Sequence, residues 1–389
     1  MSASLAESTL RAEQRSPDLD ITSGDPLHRI ERRLGLKPGT PPRPGRMVAL
    51  LLAVAILPLV VRVGAQGQIA DLIRDPFFIR LLIVLPLLEL VSPSVSASVA
   101  RALQEFETSR LVAPEDEPRF QAARMRALRM RDSRVALVVM VAIAFGSEVL
   151  AETARLPFIG AWARDGEHLT LAGSWYFFVS LALFHLIRLR WLWRILVWWR
   201  FLFGVSRIPL RLMPAHPDRA GGIGFLANVT MAFAPLIFGL SVGAGFELRA
   251  RILVGGEKLA SQVAPMVAIS VLFLVCVLTP LLFFVPQLTR AMWRGRMDYD
   301  RLSSRYIRRF DNKWLSRDPP DTELLGSSDL QSLADLINSA NAVRQMLPVP
   351  ITIPAILSVA LASGLAMLPA IQAEVPLREI AHMLMSALR

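Results

Sequence analysis

The densest set of chemically useful side chains lies in eleven residues, His216 to Leu226, which read His-Pro-Asp-Arg-Ala-Gly-Gly-Ile-Gly-Phe-Leu. His216 and Asp218 are spaced to form a proton-sensitive pair, and Arg219 adds a full positive charge. Pro217 and Gly221-Gly222 force a turn. A long apolar run begins directly afterwards, so the segment also opens a helix, whose first N–H groups are unpaired and favour anions. His216, Asp218, Arg219, Gly221 and Gly222 are therefore candidate ligand-binding residues for an anion, a lipid headgroup or another cytoplasmic ligand. The plainer reading makes Asp218 a helix cap, the glycines a device for close packing, and Arg219 a contact for phosphate headgroups.

A second set suits an ion pathway. Glu89 sits in the middle of an apolar run, where a charge is costly and needs a partner. Arg80, nine residues away on the same helix, is too far to pair with it, so the partner must come from another span. Thr352 and Ser358 lie on a small-residue face of the last apolar run, which carries no charge, and make it the candidate pore helix. Gly224, Asn228, Ala232, Pro235, Gly239 and Gly243 form a comparable face, which normally serves tight helix packing. Chemistry beyond this is sparse. The five histidines are scattered at 28, 168, 185, 216 and 382, with no zinc or paired-carboxylate spacing. The single cysteine, Cys276, excludes an internal disulfide and argues against a thiolate metal site. The expectation is no catalytic residue, no metal and no cofactor.

The elements that position these residues are membrane helices. Hydrophobic residues make up 53% of the 389, above the soluble norm of about 45–50%, and they come in blocks. The fold class is an all-α integral membrane protein with seven spans, at about 47–62, 77–95, 135–150, 171–187, 223–245, 263–284 and 351–370. Residues 1–46 read as a disordered basic cytoplasmic tail, with a short helix near Leu27–Leu36 as its one candidate element, and 47–389 as the membrane domain. Asp75-Pro76 should cap and start the second span, and Asp132 or Ser133 should cap the third. Residues 287–348 form a cytoplasmic segment with amphipathic helices, and 377–388 a terminal amphipathic helix.

Lysines and arginines number 8 in the tail and then 2, 8, 2, 7, 3, 10 and 2 in the successive connections and terminus. That alternation places the N-terminus inside and the C-terminus outside. It accounts for the net charge of +11 as topology, and argues against nucleic acid as a partner. The fourth span does not stop at 187. An Arg- and Trp-laden stretch carries it on, and one helix over 171–208 would be about 57 Å long against a hydrocarbon core of ~30 Å. Its second half must project among other helices or bend onto the membrane surface. Extensions of this kind are expected after spans four and six.

The segment His216 to Leu226 resembles one that recurs in uncharacterised bacterial multi-pass integral membrane proteins, a likeness that implies no activity. The layout, with a long fourth helix and a large inner segment between spans six and seven, is similar to that of seven-span insect-chemoreceptor-like channels. There the inward extensions anchor an oligomer and the last span lines the pore. The arginine-heavy basic set fits a bacterial source and an inner-membrane location. The leading expectation is a channel or transporter-like bundle that oligomerises through its extensions. The alternative is a membrane sensor or scaffold binding a cytoplasmic ligand or anionic lipid, and a membrane enzyme is third. Expected partners are the bilayer, its anionic headgroups and a second copy of the chain.

Overall fold

A computed structural model describes residues 24–33, 44–155, 160–166, 168–315, 328–376, 378–379 and 386. Expectations for the rest of the tail and for most of the terminal helix lie outside these residues. The described chain is almost wholly helical; its one hairpin joins strands of two residues, Arg164–Asp165 and His168–Leu169. Six helices are long and apolar enough to cross a bilayer. They are α2 (Gly45–Ala65), α3 (Pro76–Thr108), α6 (Leu171–Val205), α7 (Leu226–Leu253), α8 (Leu259–Leu282) and α11 (Ile353–Ile371). The expected third span falls on α5 (Arg134–Arg155), a helix of 22 residues. The remaining labelled helices are polar or amphipathic: α1 (Pro26–Arg33), α4 (Glu117–Arg131), α9 (Val285–Trp314) and α10 (Ser328–Arg344).

Proline sets the joints. Regular helix is interrupted at Ile56, Val91 and Phe233, and between α8 and α9 at Phe284, in each case two residues before a proline: Pro58, Pro93, Pro235 and Pro286. A proline lacks the N–H that would close the ladder and its ring crowds the carbonyl four residues back, so the ladder is interrupted there. Placed one or two positions into the new segment, it loses nothing further.

α7 is the centre of the bundle. In its most apolar stretch 72% of residues are buried, against 17% in α8. It packs on α3, on α11 and on α8. Glycines on α7 allow close approach to α11 and to α6. A Cβ on Gly245 would lie 2.4 Å from the Ala366 carbonyl oxygen of α11, and one on Gly243 would meet the Phe184 ring at 3.3 Å. Arg80 on α3 bonds Glu247 on α7 at 2.9 Å, with its guanidinium over the Phe77 and Phe184 rings. Val263, Val267, Val271, Leu272 and Val275 leave a bare apolar stripe on α8, a surface suited to hydrocarbon rather than water.

α6 is continuous over 35 residues, about 52 Å, with a π-helical segment at Tyr176–Leu181. Its second half is covered by α4 and α5 instead of bending away. α9 and α10 form an antiparallel hairpin, held at one end by Lys313 and Trp314 on Asp329 and at the other by Arg344 on Asp300. Asp75 caps α3 by accepting from the Phe77 N–H at 2.8 Å, and it also receives the Trp162 indole at 3.0 Å. Ser133 receives the Ala136 N–H at 3.2 Å at the start of α5.

Candidate functional site

The loop from Ser206 to Phe225, between α6 and α7, is built around one carboxylate. Asp218 Oδ1 accepts from the Ala220 N–H at 2.8 Å, Oδ2 from the Gly224 N–H at 2.7 Å, and the Gly222 N–H reaches both oxygens at 3.1 and 3.0 Å. Closing this ring requires left-handed backbone at Arg219 (φ 55°), Gly221 (66°) and Gly222 (100°), which is where the two glycines are needed. His216 Nδ1 lies 2.8 Å from Asp218 Oδ1. Burial alone would raise the Asp218 pKa, but the three amides and the imidazole outweigh it and hold the carboxyl below its usual range.

All five motif residues are thus in one loop, with a different division of labour from that expected. Asp218 does not cap α7, which starts at Leu226 with no side-chain cap. The amides expected to receive an external anion hold the chain's own carboxylate. Arg219 contributes its carbonyl, which accepts the Leu347 N–H at 2.7 Å, while its side chain is exposed.

The loop also fastens elements distant in sequence. Leu210 bridges Val112, and the Arg211 N–H bonds the Leu111 carbonyl at 2.8 Å, tying in the α3–α4 connection. Gln287, in the first turn of α9, accepts from the Leu210 N–H and donates to the carbonyls of Ser206 and Ile208, the latter at 2.8 Å. Gly295 of α9 admits Pro214, since a Cβ there would lie 2.4 Å from the proline Cβ. The Leu347 bond brings in the end of α10. Ends of α3, α6, α7, α9 and α10 therefore meet at one joint. Beside it, between the 203–214 limb and α9, opens a cavity of about 940 Å³.

The pathway candidates are not gathered in the same way. Glu89 is buried in α3 and within electrostatic reach of Arg190 and Arg194 of α6. Thr352 caps α11, accepting from the Ala355 N–H, and Ser358 Oγ donates to the Ala355 carbonyl at 2.9 Å. Both hydroxyls are used within their own helix.

The ionic cluster around Arg190 was not visible in the sequence. Asp25 grips Arg190 Nε and Nη2, both at 2.9 Å, Glu31 reaches Nη1 at 2.6 Å, and Arg194 Nη2 lies 3.3 Å from Asp25. All four side chains are at most 8% exposed. Burial favours a protonated Asp25, but the two guanidiniums beside it hold its pKa well below the carboxylate range. The tail is therefore not disordered throughout. α1 is a helix in which Glu31, with Asp25 just before its first residue, supplies the counter-charge for two buried arginines. Charge complementarity across some 165 residues leaves no local pattern by which to find it. Gln287 was equally hidden, because a lone glutamine in a basic segment carries no signal.

Among the described residues no group of three His, Cys, Asp or Glu side chains is placed to hold a metal ion. No protein-family model matches the chain, and neither a curated protein nor a solved structure is significantly similar to it.

Proposed function

We propose that this chain is a multi-pass membrane protein of the sensor or scaffold class, with its N-terminus inside, and that the joint around Asp218 couples a ligand-binding inner face to the bundle. A bacterial inner-membrane location goes with this reading, as does membership of the bacterial group sharing the His216–Leu226 segment. The observation that carries it is the convergence of five helix ends on a loop held by one carboxylate. A ligand that moves one limb of such a joint acts on several helices together. The joint faces the segments richest in arginine, which by the positive-inside bias are cytoplasmic.

The test compares hydrogen exchange of the purified protein in nanodiscs of phosphatidylcholine alone and with phosphatidylglycerol. Anionic lipid is expected to protect amides in 206–226 and, through the joint, in α1 and the second half of α6. An exchange pattern indifferent to lipid charge at all three places sinks the reading.

A channel or transporter-like bundle, with a second copy of the chain as partner, is the other reading. Glu89 beside Arg190 and Arg194 favours it, since ionisable groups inside a bundle mark ion and proton routes. It requires ion flux in proteoliposomes that changes in Glu89→Gln. A membrane enzyme has no constellation in its favour among the described residues.

A further inference from the structure

The lining of the cavity beside the joint combines basic and apolar residues. α9 presents Arg290 and Arg294 a helical turn apart. Across from them the loop limb brings Arg207 and Arg211. Asp298 is the one carboxylate in the lining, and it sits 3.8 Å from Arg301. Arg211 is partly matched by Glu115 at 3.5 Å, and Arg207 lies over the Phe203 ring. Arg290 and Arg294 have neither an ion-pair nor a hydrogen-bond partner among the described residues. Like charges a turn apart repel, and here they also face two more guanidiniums. Such an arrangement is stabilised by an anion between them.

The rest of the lining includes an apolar part. Phe203, Leu282, Phe283 and Pro286 form it, and Leu282 and Phe203 are 46% and 40% exposed. Phe203, Leu282 and Phe283 come from the ends of the two membrane-type helices α6 and α8 and Pro286 from the first turn of α9, while the arginines lie further along α9 and in the loop after α6. The cavity therefore straddles the boundary between bilayer-length apolar helix and basic extension. Its volume falls within the ~300–1,000 Å³ of small-molecule sites.

We infer that this cavity is a binding site for a phosphate-bearing anion, held by Arg290 and Arg294 with Arg207 and Arg211 opposite, and that its apolar part receives the carbon chain of an amphiphile. Guanidinium suits the ligand because its planar donors match phosphate oxygens two at a time. The site is distinct from the Asp218 ring, whose amides are already occupied. It rests on the sensor or scaffold reading only in supplying the ligand that reading needs.

The test measures binding to the purified full chain in neutral detergent in two arms, short-chain phosphatidylglycerol and soluble glycerol phosphate, for wild type and two charge-matched double variants. Arg290→Gln/Arg294→Gln alters the cavity, whereas Arg308→Gln/Arg309→Gln alters α9 away from it and controls for general attraction of basic segments to anions. The expected result is a loss of about tenfold or more in affinity for the cavity variant, the scale set by charged hydrogen bonds, and less than about threefold for the control. Binding confined to the lipid arm supports the amphiphile. Equal binding in both arms keeps the phosphate site and overturns the role of the apolar part. Equal losses in both variants, or no binding in either arm, overturn the site. Hydrogen exchange on the same samples separates the two proposals. Cavity-dependent binding without a response in α1 refutes coupling but leaves the site. A response in α1 that survives Arg290→Gln/Arg294→Gln does the reverse.

Discussion

Asp218 illustrates how much one side chain can organise when its acceptors meet a backbone bent to present donors. Its two oxygens receive three amides and lie beside His216, so removing the carboxylate strands several donors at once. Asp218→Ala is expected to lower stability by about 2–4 kcal/mol, scaled from charged hydrogen bonds and discounted for partial exposure. The check is thermal unfolding in detergent; an unchanged midpoint overturns the account. The pH dependence has a definite sign. The folded pKa lies below the ordinary 3.8, so the contribution is complete above about pH 4 and is lost as pH falls through the lowered value. Asp25, held low by Arg190 and Arg194, adds acid sensitivity in the same direction. The sequence singles out these eleven residues, because a His, an Asp and three glycines together are rare in an apolar chain. It did not show that Asp218 would turn inward, since capping a helix and closing a loop ask for the same residue type.

At the scale of elements, the buried cluster binds a tail helix to the longest helix of the bundle. Arg190→Ala would leave Asp25 and Glu31 buried without their main counter-ion, a loss on the order of 3–5 kcal/mol. Replacing the set together, as Arg190→Met with Asp25→Asn and Glu31→Gln, should recover most of it, because Arg194 and Glu89 then remain as an opposed pair. The comparison is of thermal midpoints for the single and triple variants, and a triple variant no better than the single one refutes the ionic account. Helix boundaries were legible where local chemistry sets them, as at Asp75-Pro76 and Ser133. They were not legible where contact sets them. α3 runs on to Thr108 and α6 to Val205 because other helices cover polar stretches that, alone, would suit water. The length of the fourth helix is legible in the sequence, but that α4 and α5 cover its second half is not.

For the whole molecule, the sequence made plain a bundle of apolar helices, and the described residues contain six of membrane-crossing length. Its orientation rests on the arginine alternation and can be tested directly. Cys276 is the single cysteine, so Cys276→Ser gives a clean background for new thiols at exposed positions. A cysteine at Arg308 should resist a membrane-impermeant maleimide in intact cells, and one at Asp165, in the hairpin before α6, should react. The opposite pattern reverses the topology and moves the joint to the outer face.

The tail helix also constrains how the protein is made. Asp25 leaves the ribosome long before Arg190, 165 residues later, which at ~5–20 residues per second is a delay of roughly ten to thirty seconds. Through that interval Asp25 and Glu31 lack Arg190 and Arg194, while α2 and α3 are already made. The docking of α1 is therefore a late step of biogenesis. A nascent chain arrested before residue 190 should leave Asp25 and Glu31 in water and the segment around them open to protease.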